Sequence, residues 1–328
     1  TRAGRARAGG RFGGDGPVSR PEHTTVLRDE SIRQLNVVPG GIWVDVTCGL
    51  GGHAEALLEA SAPDGRVVAI DRDPHALDRA RQRLAGFAGR VDFVHGPFSA
   101  LDAHLEGLGI DQIDGLVADL GVSSLQLDAP ERGFSFRAEG PLDMRMDPTA
   151  EEDAGELVDR IDRAGLTTIL KSFGEVERPK AVAGAILAAR DCGRLVTTKD
   201  LTRAVESVLP ARREASVHPA TRVFQALRIA VNRELEEVDA LLHSLPGRIR
   251  TGGRVAIISF HSLEDRRVKR AFSGPAPRAE LRHLPVSPAE GPWEPLHRSV
   301  IRPSPEEIRS NPRARSAKLR AARRKESV

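Results

Sequence analysis

A glycine-rich turn follows the first strongly apolar segment of the chain, and an aspartate ends the next one. Residues 42–46 lead into Gly49, Gly51 and Gly52, and the second apolar run ends at Asp71. Backbone N–H groups at a strand–turn–helix junction let a ligand approach closely, because glycine has no Cβ in the way. An acid that ends the following strand can hold both hydroxyls of a ribose. The pattern predicts a site for an adenosine-bearing cofactor.

Asp45 indicates which cofactor this is. It lies four residues before Gly49, where a nicotinamide enzyme places its pyrophosphate. The glycines with Ala54 also fit the dinucleotide fingerprint, so a nicotinamide oxidoreductase is an alternative. A carboxylate repels a pyrophosphate but attracts a sulfonium and an ammonium group, which favours S-adenosylmethionine. The plainer alternative is that Asp45 only caps the turn.

Size and composition restrict the class of protein. The chain has 328 residues, 40% hydrophobic and 29% charged, enough for a sizeable core and two domains. It has no apolar run of about 18 residues, so we expect no membrane span, and residues 1–20 lack the apolar segment of a signal peptide. Cys48 and Cys192 lack CxxC spacing. This argues against a disulfide framework and a zinc site, and it suits a cytoplasmic location.

Basic residues concentrate at the two ends of the chain. Residues 1–20 hold five arginines and one acid, and residues 302–328 hold nine basic and three acidic residues, although the whole chain has a net charge of only +3. The part between them is therefore acidic. Basic ends on an acidic body suggest a polyanionic partner; the alternative is a pair of solubilising tails. We expect residues 1–21 to form a disordered basic arm.

Strands and helices alternate along the chain. Strands are predicted at residues 42–46, 66–71, 91–95, 115–120 and 254–260, with helices at 52–60, 74–84 and 98–105 after the first three. This alternation is typical of a parallel sheet covered by helices. About 135 residues separate the fourth and fifth strands, far more than a crossover needs. The fold class predicted is therefore α/β with an inserted domain.

Short helices are predicted inside the insertion, at residues 152–163, 166–173, 179–191 and 199–209. A long helix over 221–245 returns the chain to the sheet, because its apolar residues recur every three or four positions. Residues 299–302 and 317–323 supply the last strands. We assign residues 22–125 plus 222–324 to one discontinuous α/β domain and residues 126–221 to an inserted helical substrate-binding domain.

Two strand ends carry candidate catalytic and binding residues. Asp119 ends the fourth strand and Gln126 follows it; open α/β sheets bind ligands at such ends, so both can hydrogen-bond an amine or a ribose. His261 follows the fifth strand, where it is a candidate to accept a proton near neutral pH. The alternatives are a turn rich in caps and a histidine with only local hydrogen bonds. Ser262 and Asp265 resemble a capping box.

Aromatic and basic residues elsewhere leave two interpretations each. Phe134 and Phe136 bracket a serine, so they either stack on a base or pack in a core. Arg132 and Arg145 either contact phosphate or pair with neighbouring acids. Residues 311–320 alternate cations with small or apolar residues, which suits an edge strand that presents charge to nucleic acid. The alternative is a merely solvated basic edge.

Together these stretches resemble the ribosomal RNA small-subunit methyltransferase H family, also called the MraW family. The resemblance runs from about residue 22 to 324 and is far more specific than the glycine turn alone. One departure is Thr25, where a proline is expected. The stretches that carry the resemblance are residues 23–27, 45–53, 69–74, 95–99, 119–128, 132–147, 218–229, 259–266 and 311–320.

The resemblance implies a Rossmann-like methyltransferase sheet, S-adenosylmethionine as cofactor and no metal. Its target is the N4 amine of a cytidine in the decoding region of 16S rRNA, within the small ribosomal subunit, and a homodimer is one assembly expected. The alternatives are a methyltransferase for DNA or a small molecule, and a ribosome assembly factor without catalysis. The cofactor contacts carry over to Gly51, Gly52, His53, Asp71, Phe98, Asp119 and Gln126.

The expected mechanism is direct in-line attack of the amine on the sulfonium methyl. The amine of cytosine is a poor nucleophile because its lone pair is delocalised into the ring, so positioning supplies most of the acceleration. The base is splayed out to reach the cleft. The Asp-Pro-Pro-Tyr type of motif common in amino-methylating enzymes is replaced here by Asp119-Leu120-Gly121-Val122. Asp119 is therefore the first catalytic candidate, and His261 is the weaker candidate base.

Overall fold

One mixed sheet organises the chain in a computed structural model that describes residues 25–211, 218–274 and 291–326. Its strands in these ranges are β1 (Ile42–Asp45), β2 (Arg66–Asp71), β3 (Val91–His95), β4 (Ile113–Asp119), β5 (Ile249–Ser259), β6 (Trp293–Pro295) and β7 (Lys318–Arg324). Their order across the sheet is β3-β2-β1-β4-β5-β7-β6. The first five strands are parallel, and β7 runs antiparallel to both β5 and β6.

Burial on both faces explains the parallel part of the sheet. Residues 113–118 of β4 and 67–70 of β2 are all buried, which is why these strands are continuous apolar runs in the sequence. β1 to β3 extend the sheet in one direction, whereas β4 and β5 extend it in the other. The strand order therefore reverses between β1 and β4, and open α/β sheets bind ligands at the carboxyl ends of the strands at such a point. The predicted α/β, Rossmann-like fold is confirmed.

Helices pack on both faces of this sheet. Leu35, Leu57 and Leu77 belong to one buried cluster with the sheet, and Leu105 and Leu241 belong to the cluster on the other face. The helices that supply these two layers are α1 (Arg28–Leu35), α2 (Gly52–Ala60), α3 (Pro74–Arg83), α4 (Leu101–Gly107), α11 (Glu234–Arg248) and α12 (Ser262–Ser273).

A second apolar core lies between β4 and α11. Its helices are α5 (Ser124–Asp128), α6 (Ala154–Arg160), α7 (Arg163–Gly174), α8 (Pro179–Asp191), α9 (Thr198–Glu206) and α10 (Pro219–Asn232). Leu166, Ile186 and Leu227 are fully buried in this cluster, which contains no residue of the sheet. The four short helices predicted from the sequence correspond to α6–α9. Among the described residues, no helix is both long and apolar enough to cross a bilayer.

Both phenylalanines of the predicted aromatic pair pack within this second core. Phe134 is buried there, and Arg132 lies over its ring. The ring of Phe136 stacks on His218, with 4.9 Å between ring centroids, and meets Phe224 edge-on at 5.4 Å. The packing interpretation of the two rings is therefore the one the structure supports. Stacking on a base would require these contacts to break.

The single long helix predicted over 221–245 is wrong, because the chain forms two helices there. α10 ends at Asn232 and α11 begins at Glu234, with Arg233 between them in the left-handed region at φ 50°. The N–H of Arg233 bonds the carbonyls of Ala230 and Ile229 and so closes α10. The apolar period continues across the break because α10 packs in the second core while α11 packs on the sheet. Only glycine or asparagine would have signalled this break.

The expectations for the end of the chain are corrected in two places. Residues 299–302 do not form a strand; Ile301 makes only an isolated bridge to Leu319, close to the short helix α13 (Pro305–Ser310). β7 is not an edge strand, because it lies between β5 and β6. Lys318 and Arg320 of β7 both contact Asp265, at 3.6 and 2.7 Å. The predicted basic arm, residues 1–21, lies outside the described residues.

Candidate functional site

A cavity of about 350 Å³ opens at the carboxyl ends of β1, β2, β4 and β5. The volume is that of a small-ligand pocket, and the position is the one where the order of strands reverses. Gly51 and His261 are not among its lining residues, although their neighbours Gly52 and Phe260 are. The other predicted site residues all line it: Gly52, His53, Asp71, Phe98, Asp119 and Gln126.

The glycine turn after β1 shapes one wall of the cavity. Gly51 precedes α2 in the left-handed region, at φ 83°, which a side chain rarely adopts. Gly52 opens α2, and a Cβ placed on it would lie 1.8 Å from Oγ1 of Thr25. The two glycines are therefore required for different reasons. Gly51 permits the turn, and Gly52 leaves room for the segment that closes over it.

Asp71 ends β2 with both carboxylate oxygens in use. Oδ2 accepts from the N–H of Gly49 at 2.6 Å, and Oδ1 accepts from the N–H of Asp73 at 2.8 Å. Burial raises the pKa of Asp71 to about 6, against the effect of these two hydrogen bonds. Each oxygen keeps a further lone pair for a ligand. The carboxylate thus fixes the glycine turn and can still accept hydrogen bonds from the hydroxyl groups of a ligand in the cavity.

Asp45 is a buried acid with incomplete hydrogen bonding. Its side chain is fully buried, Oδ1 accepts from the N–H of Thr47 at 3.1 Å, and Oδ2 has no partner among the described residues. Burial raises the pKa of Asp45 to about 6, partly offset by His53. The interpretation as a turn cap accounts for Oδ1 but not for Oδ2. Asp45 is not among the residues that line the cavity, so its charge acts on a ligand there through space and not by direct contact.

His53 and Asp119 face each other across the base of the cavity. His53 Nε2 lies 3.7 Å from Asp119 Oδ2, beyond hydrogen-bonding distance, and both ring nitrogens lack partners among the described residues. Burial lowers the pKa of His53, but Asp119 and Asp45 outweigh it and raise the pKa above its ordinary value. Asp119 Oδ1 is also without a partner in the described part of the chain. The group holds several unsatisfied polar atoms beside one cavity.

Gln126 is held firmly by the protein itself. Its side-chain Oε1 accepts from the backbone N–H of Ser123 at 3.0 Å, and its backbone N–H donates to Ser123 Oγ at 3.3 Å. These two bonds form a capping box at the start of α5. Its Nε2 donates to Asp73 Oδ2 at 3.1 Å, and the guanidinium of Arg132 bonds the same oxygen at 2.8 Å. Asp73 therefore joins the end of β2 to the inserted helices. The alternative of a turn rich in caps is therefore correct for Ser123 and Gln126, which cap α5.

Phe98 lines the cavity from the turn after β3. It opens a short 3₁₀ turn, Phe98–Ala100, that precedes α4. The next residue, Ser99, is bonded through both its N–H and its hydroxyl to Glu237 of α11, at 3.1 and 2.9 Å. The aromatic ring is thereby fixed at the cavity wall by an anchor to α11, which packs on the same face of the sheet.

The capping box predicted at Ser262 and Asp265 is wrong by one residue. His261 is the cap of α12: its Nδ1 accepts from the N–H of Glu264 at 3.4 Å, and Glu264 Oε2 accepts from the N–H of His261 at 3.3 Å. A histidine ring nitrogen fills the role that a serine hydroxyl usually has. This corresponds to the alternative of a histidine with local hydrogen bonds, while its role as a base stays a prediction.

Charged residues that the sequence did not assign also line the cavity. Arg228 of α10, Glu234 at the start of α11 and Glu264 of α12 all contribute to its wall. Arg228 binds both oxygens of Glu234, at 2.7 and 2.8 Å. The available signal was an arginine within the apolar stripe of a helix, at a position where a core residue is normal.

Comparisons with known proteins agree with the geometry. A ribosomal RNA small subunit methyltransferase H of Sorangium cellulosum is 50% identical over 94% of this chain and 93% of its own length. The protein of the same name from Methylobacterium nodulans is 48% identical over 93% and 91%. A putative rRNA methylase structure from Clostridium thermocellum has 11% identity and a TM-score of 0.44, covering 92% of this chain and 98% of its own. That likeness is too weak to add anything.

The sequence profile of the MraW methylase family matches residues 20–325. This range contains the whole sheet, the second core and every residue that lines the cavity. The match also agrees with the resemblance carried by the short stretches of the sequence. The chain belongs to the MraW methylase family.

Proposed function

We propose that this protein transfers a methyl group from S-adenosylmethionine to the N4 amine of a cytidine in the decoding region of 16S rRNA, within the small ribosomal subunit. Membership of a methylase family and relatives named as small-subunit rRNA methyltransferases support this. The observation that carries the choice of cofactor is the buried, half-partnered carboxylate of Asp45. A cationic ligand stabilises a buried anion of this kind.

The residues present fit this cofactor at both of its ends. Asp71 offers two oxygens to the ribose hydroxyls, and Gly52 lets Thr25 pack against the glycine turn, where both residues line the cavity. When bound, the cofactor supplies a methyl group activated by a positive sulfur. Asp45 is then the counter-charge for the sulfonium. The remaining proposed contacts are Gly51, His53, Phe98, Asp119 and Gln126.

Asp119 is the proposed contact to the attacking amine. It ends β4, next to the turn that holds the cofactor, and its Oδ1 has no partner among the described residues. An acceptor directed at the amine hydrogens favours the pyramidal nitrogen that reacts. Asp119 is thus the first candidate to receive the proton. His261 is the second, since it follows β5 at the carboxyl edge of the sheet.

RNA recognition is assigned to the inserted helical domain, residues 126–221, and cofactor binding to residues 22–125 plus 222–324. The second apolar core continues through Leu227, so the two domains meet within α10. Basic residues of the arm and of residues 302–328 are proposed to contact the RNA backbone. The reaction is placed in the cytoplasm, where ribosomal subunits mature, and a homodimer is the proposed assembly.

Methyl transfer to purified small subunits tests this function. Subunits from a strain that lacks the gene are incubated with the protein and isotopically labelled cofactor, and the modified nucleotide is mapped by mass spectrometry. The expected result is one cytidine that carries a methyl group on N4. Equal or faster methylation of plasmid DNA would show a DNA methyltransferase instead. Binding of subunits without turnover would show an assembly factor.

The role of Asp119 has its own test, Asp119→Asn. The variant should lower the rate of methylation at saturating cofactor by about 100-fold, since general-base and positioning effects have this magnitude. Asp111→Asn is the matched control, because Asp111 is almost fully exposed and remote from the cavity lining. Full activity of Asp119→Asn with unchanged cofactor affinity would remove Asp119 from the mechanism.

A further inference from the structure

The wall of the cavity beyond β5 is strongly charged. Asp71 and the glycine turn lie at the ends of β2 and β1, whereas Glu264 follows β5, on the other side of β4. Arg228 and Glu234 join Glu264 in lining this side. A cofactor held by Asp71 would not fill the region beyond Asp119, so this part of the cavity is available to the second reactant.

Arg228 has donors left over after its ion pair. Its Nε and Nη2 bond the two oxygens of Glu234. Its Nη1 makes no hydrogen bond to any residue in the described ranges, although the arginine lines the cavity. Glu234 therefore fixes the plane of the guanidinium, and Nη1 presents two N–H groups to a ligand.

Glu264 is an anion held in a fixed orientation. Its side chain is 1% exposed, and Oε2 accepts from the N–H groups of Phe260 and His261 at 2.9 and 3.3 Å. Burial raises the pKa of Glu264, but His261 and Arg228 outweigh it and lower the pKa below its ordinary value. Oε1 accepts no hydrogen bond of good geometry from a described residue. It remains an acceptor.

His261 supports this orientation and leaves one polar atom unsatisfied. Its side chain is 9% exposed, and because Nδ1 accepts from the N–H of Glu264, the proton of the neutral ring is on Nε2. Nε2 lies 3.1 Å from Glu264 Oε1, at an angle too oblique for a hydrogen bond. Nε2 thus holds Glu264 in place by its proximity and not by a well-aligned hydrogen bond, and Oε1 keeps a lone pair for a ligand.

A metal ion does not fit this group. Ligand atoms of Glu234, His261 and Glu264 lie within 4.8 Å of one another. However, the guanidinium of Arg228 already bonds both oxygens of Glu234 and so supplies the cation. A divalent ion there would be repelled by a neighbouring positive charge.

We propose that Arg228 and Glu264 read the edge of the target base, with His261 as a positioning residue for Glu264. This inference rests on the proposed function and names the subsite for its substrate, an aminopyrimidine. Glu264 Oε1 accepts from the exocyclic amine, and Arg228 Nη1 donates to the ring nitrogen and carbonyl beside it. Uracil presents a carbonyl and an N–H at these positions. It would face the carboxylate with an acceptor and the guanidinium with a donor.

Two variants test this subsite, with a control on the same helix. Glu264→Gln keeps the shape of the side chain and the cap of α12, but it replaces one of the two acceptor oxygens with an NH2 donor. Arg228→Lys keeps the positive charge beside Glu234 but removes Nη1. Asp265→Asn is the control, since Asp265 follows Glu264 but bonds Arg320 on the sheet side. Single-turnover methylation of small subunits is measured, together with the Kd for cofactor and for subunits. Both variants should lower the rate by about 10- to 100-fold, as a lost hydrogen bond to a charged group does, with both Kd values unchanged.

A binding experiment separates this inference from the proposed function. Cytidine and uridine are titrated, with NMR detection, into the wild-type protein and both variants in the presence of S-adenosylhomocysteine. The wild type should prefer cytidine, and both variants should lose the preference, even if no subunit is methylated. An unchanged preference in the variants, or none in the wild type, would overturn the inference. A parallel loss of cofactor affinity and melting temperature would also overturn it, as that marks a structural role. Absence of methylation by the wild type alone would contradict only the proposed function.

Discussion

Asp45→Asn should stabilise the protein without ligand and weaken its binding of a sulfonium. The substitution keeps an oxygen for the N–H of Thr47 and removes a charge that is fully buried, with one oxygen unpartnered among the described residues. Burial raises the pKa of Asp45 from 3.8 to about 6, and this difference of about two units corresponds to about 3 kcal/mol at pH 7.

The sign of the pH dependence follows from that shift. The folded carboxyl binds its proton more tightly than the unfolded one, so its ionised form disfavours folding above pH 6. This penalty disappears as the pH falls from about 6 toward 3.8. The stability gained by Asp45→Asn should therefore be largest at pH 7–8 and small at pH 4. Urea unfolding at several pH values measures it, with Asp92→Asn at an exposed ion pair as control.

Cofactor binding should change in the opposite direction. Two unit charges about 8 Å apart attract by about 2 kcal/mol at an effective dielectric constant of about 20, which is about 30-fold in Kd. Calorimetry should show this loss for S-adenosylmethionine but a much smaller one for S-adenosylhomocysteine, whose sulfur is neutral. A variant that is less stable than the wild type at pH 8, with an unchanged ratio of the two affinities, would refute the reasoning.

Three further substitutions test other parts of the structure. Gly52→Ala places a Cβ 1.8 Å from Thr25 Oγ1 and should weaken cofactor binding by about 10-fold in calorimetry. The control Gly86→Ala, whose Cβ meets nothing within 4 Å, should leave the affinity unchanged. Equal affinities of the two variants would show that the contact between Gly52 and Thr25 does not shape the cofactor site. Arg132→Ala leaves the buried Asp73 without its ion pair and should cost about 3–5 kcal/mol in urea unfolding. Arg66→Ala at an exposed pair should cost less than about 1 kcal/mol, and similar losses would contradict this contrast. Arg233→Gly relieves a left-handed backbone at φ 50° and should raise stability by about 0.5–1 kcal/mol. A lower melting temperature would show that the Arg233 side chain matters more than its backbone.

The sheet and the cavity could be predicted because their signals are local. A buried parallel strand is a continuous apolar run, and β2 and β3 have the predicted bounds. An acid or a glycine directly after such a run must lie at the carboxyl edge of the sheet, as Asp71 and Asp119 do. These inferences needed no knowledge of how distant segments pack.

The features that the sequence did not predict depend on distant contacts. Nothing local marks Arg233 as a helix break, because the apolar stripe changes its packing partner there without changing its period. His261 caps α12 because Glu264 is held on the opposite side of the same turn. The charged wall formed by Arg228, Glu234 and Glu264 exists only once three helices have converged.

The location of β7 between β5 and β6 constrains how the molecule can be synthesised. Its residues follow the end of β5 by about 60 positions along the chain. Until they emerge from the ribosome, one side of β5 exposes a row of unpaired N–H and C=O groups beside a nearly complete sheet, and an open edge of this kind invites pairing with another chain. The nascent protein is therefore most prone to aggregation just before its last strand is added, and variants that weaken β7 should lower the yield of folded protein more than its catalytic rate.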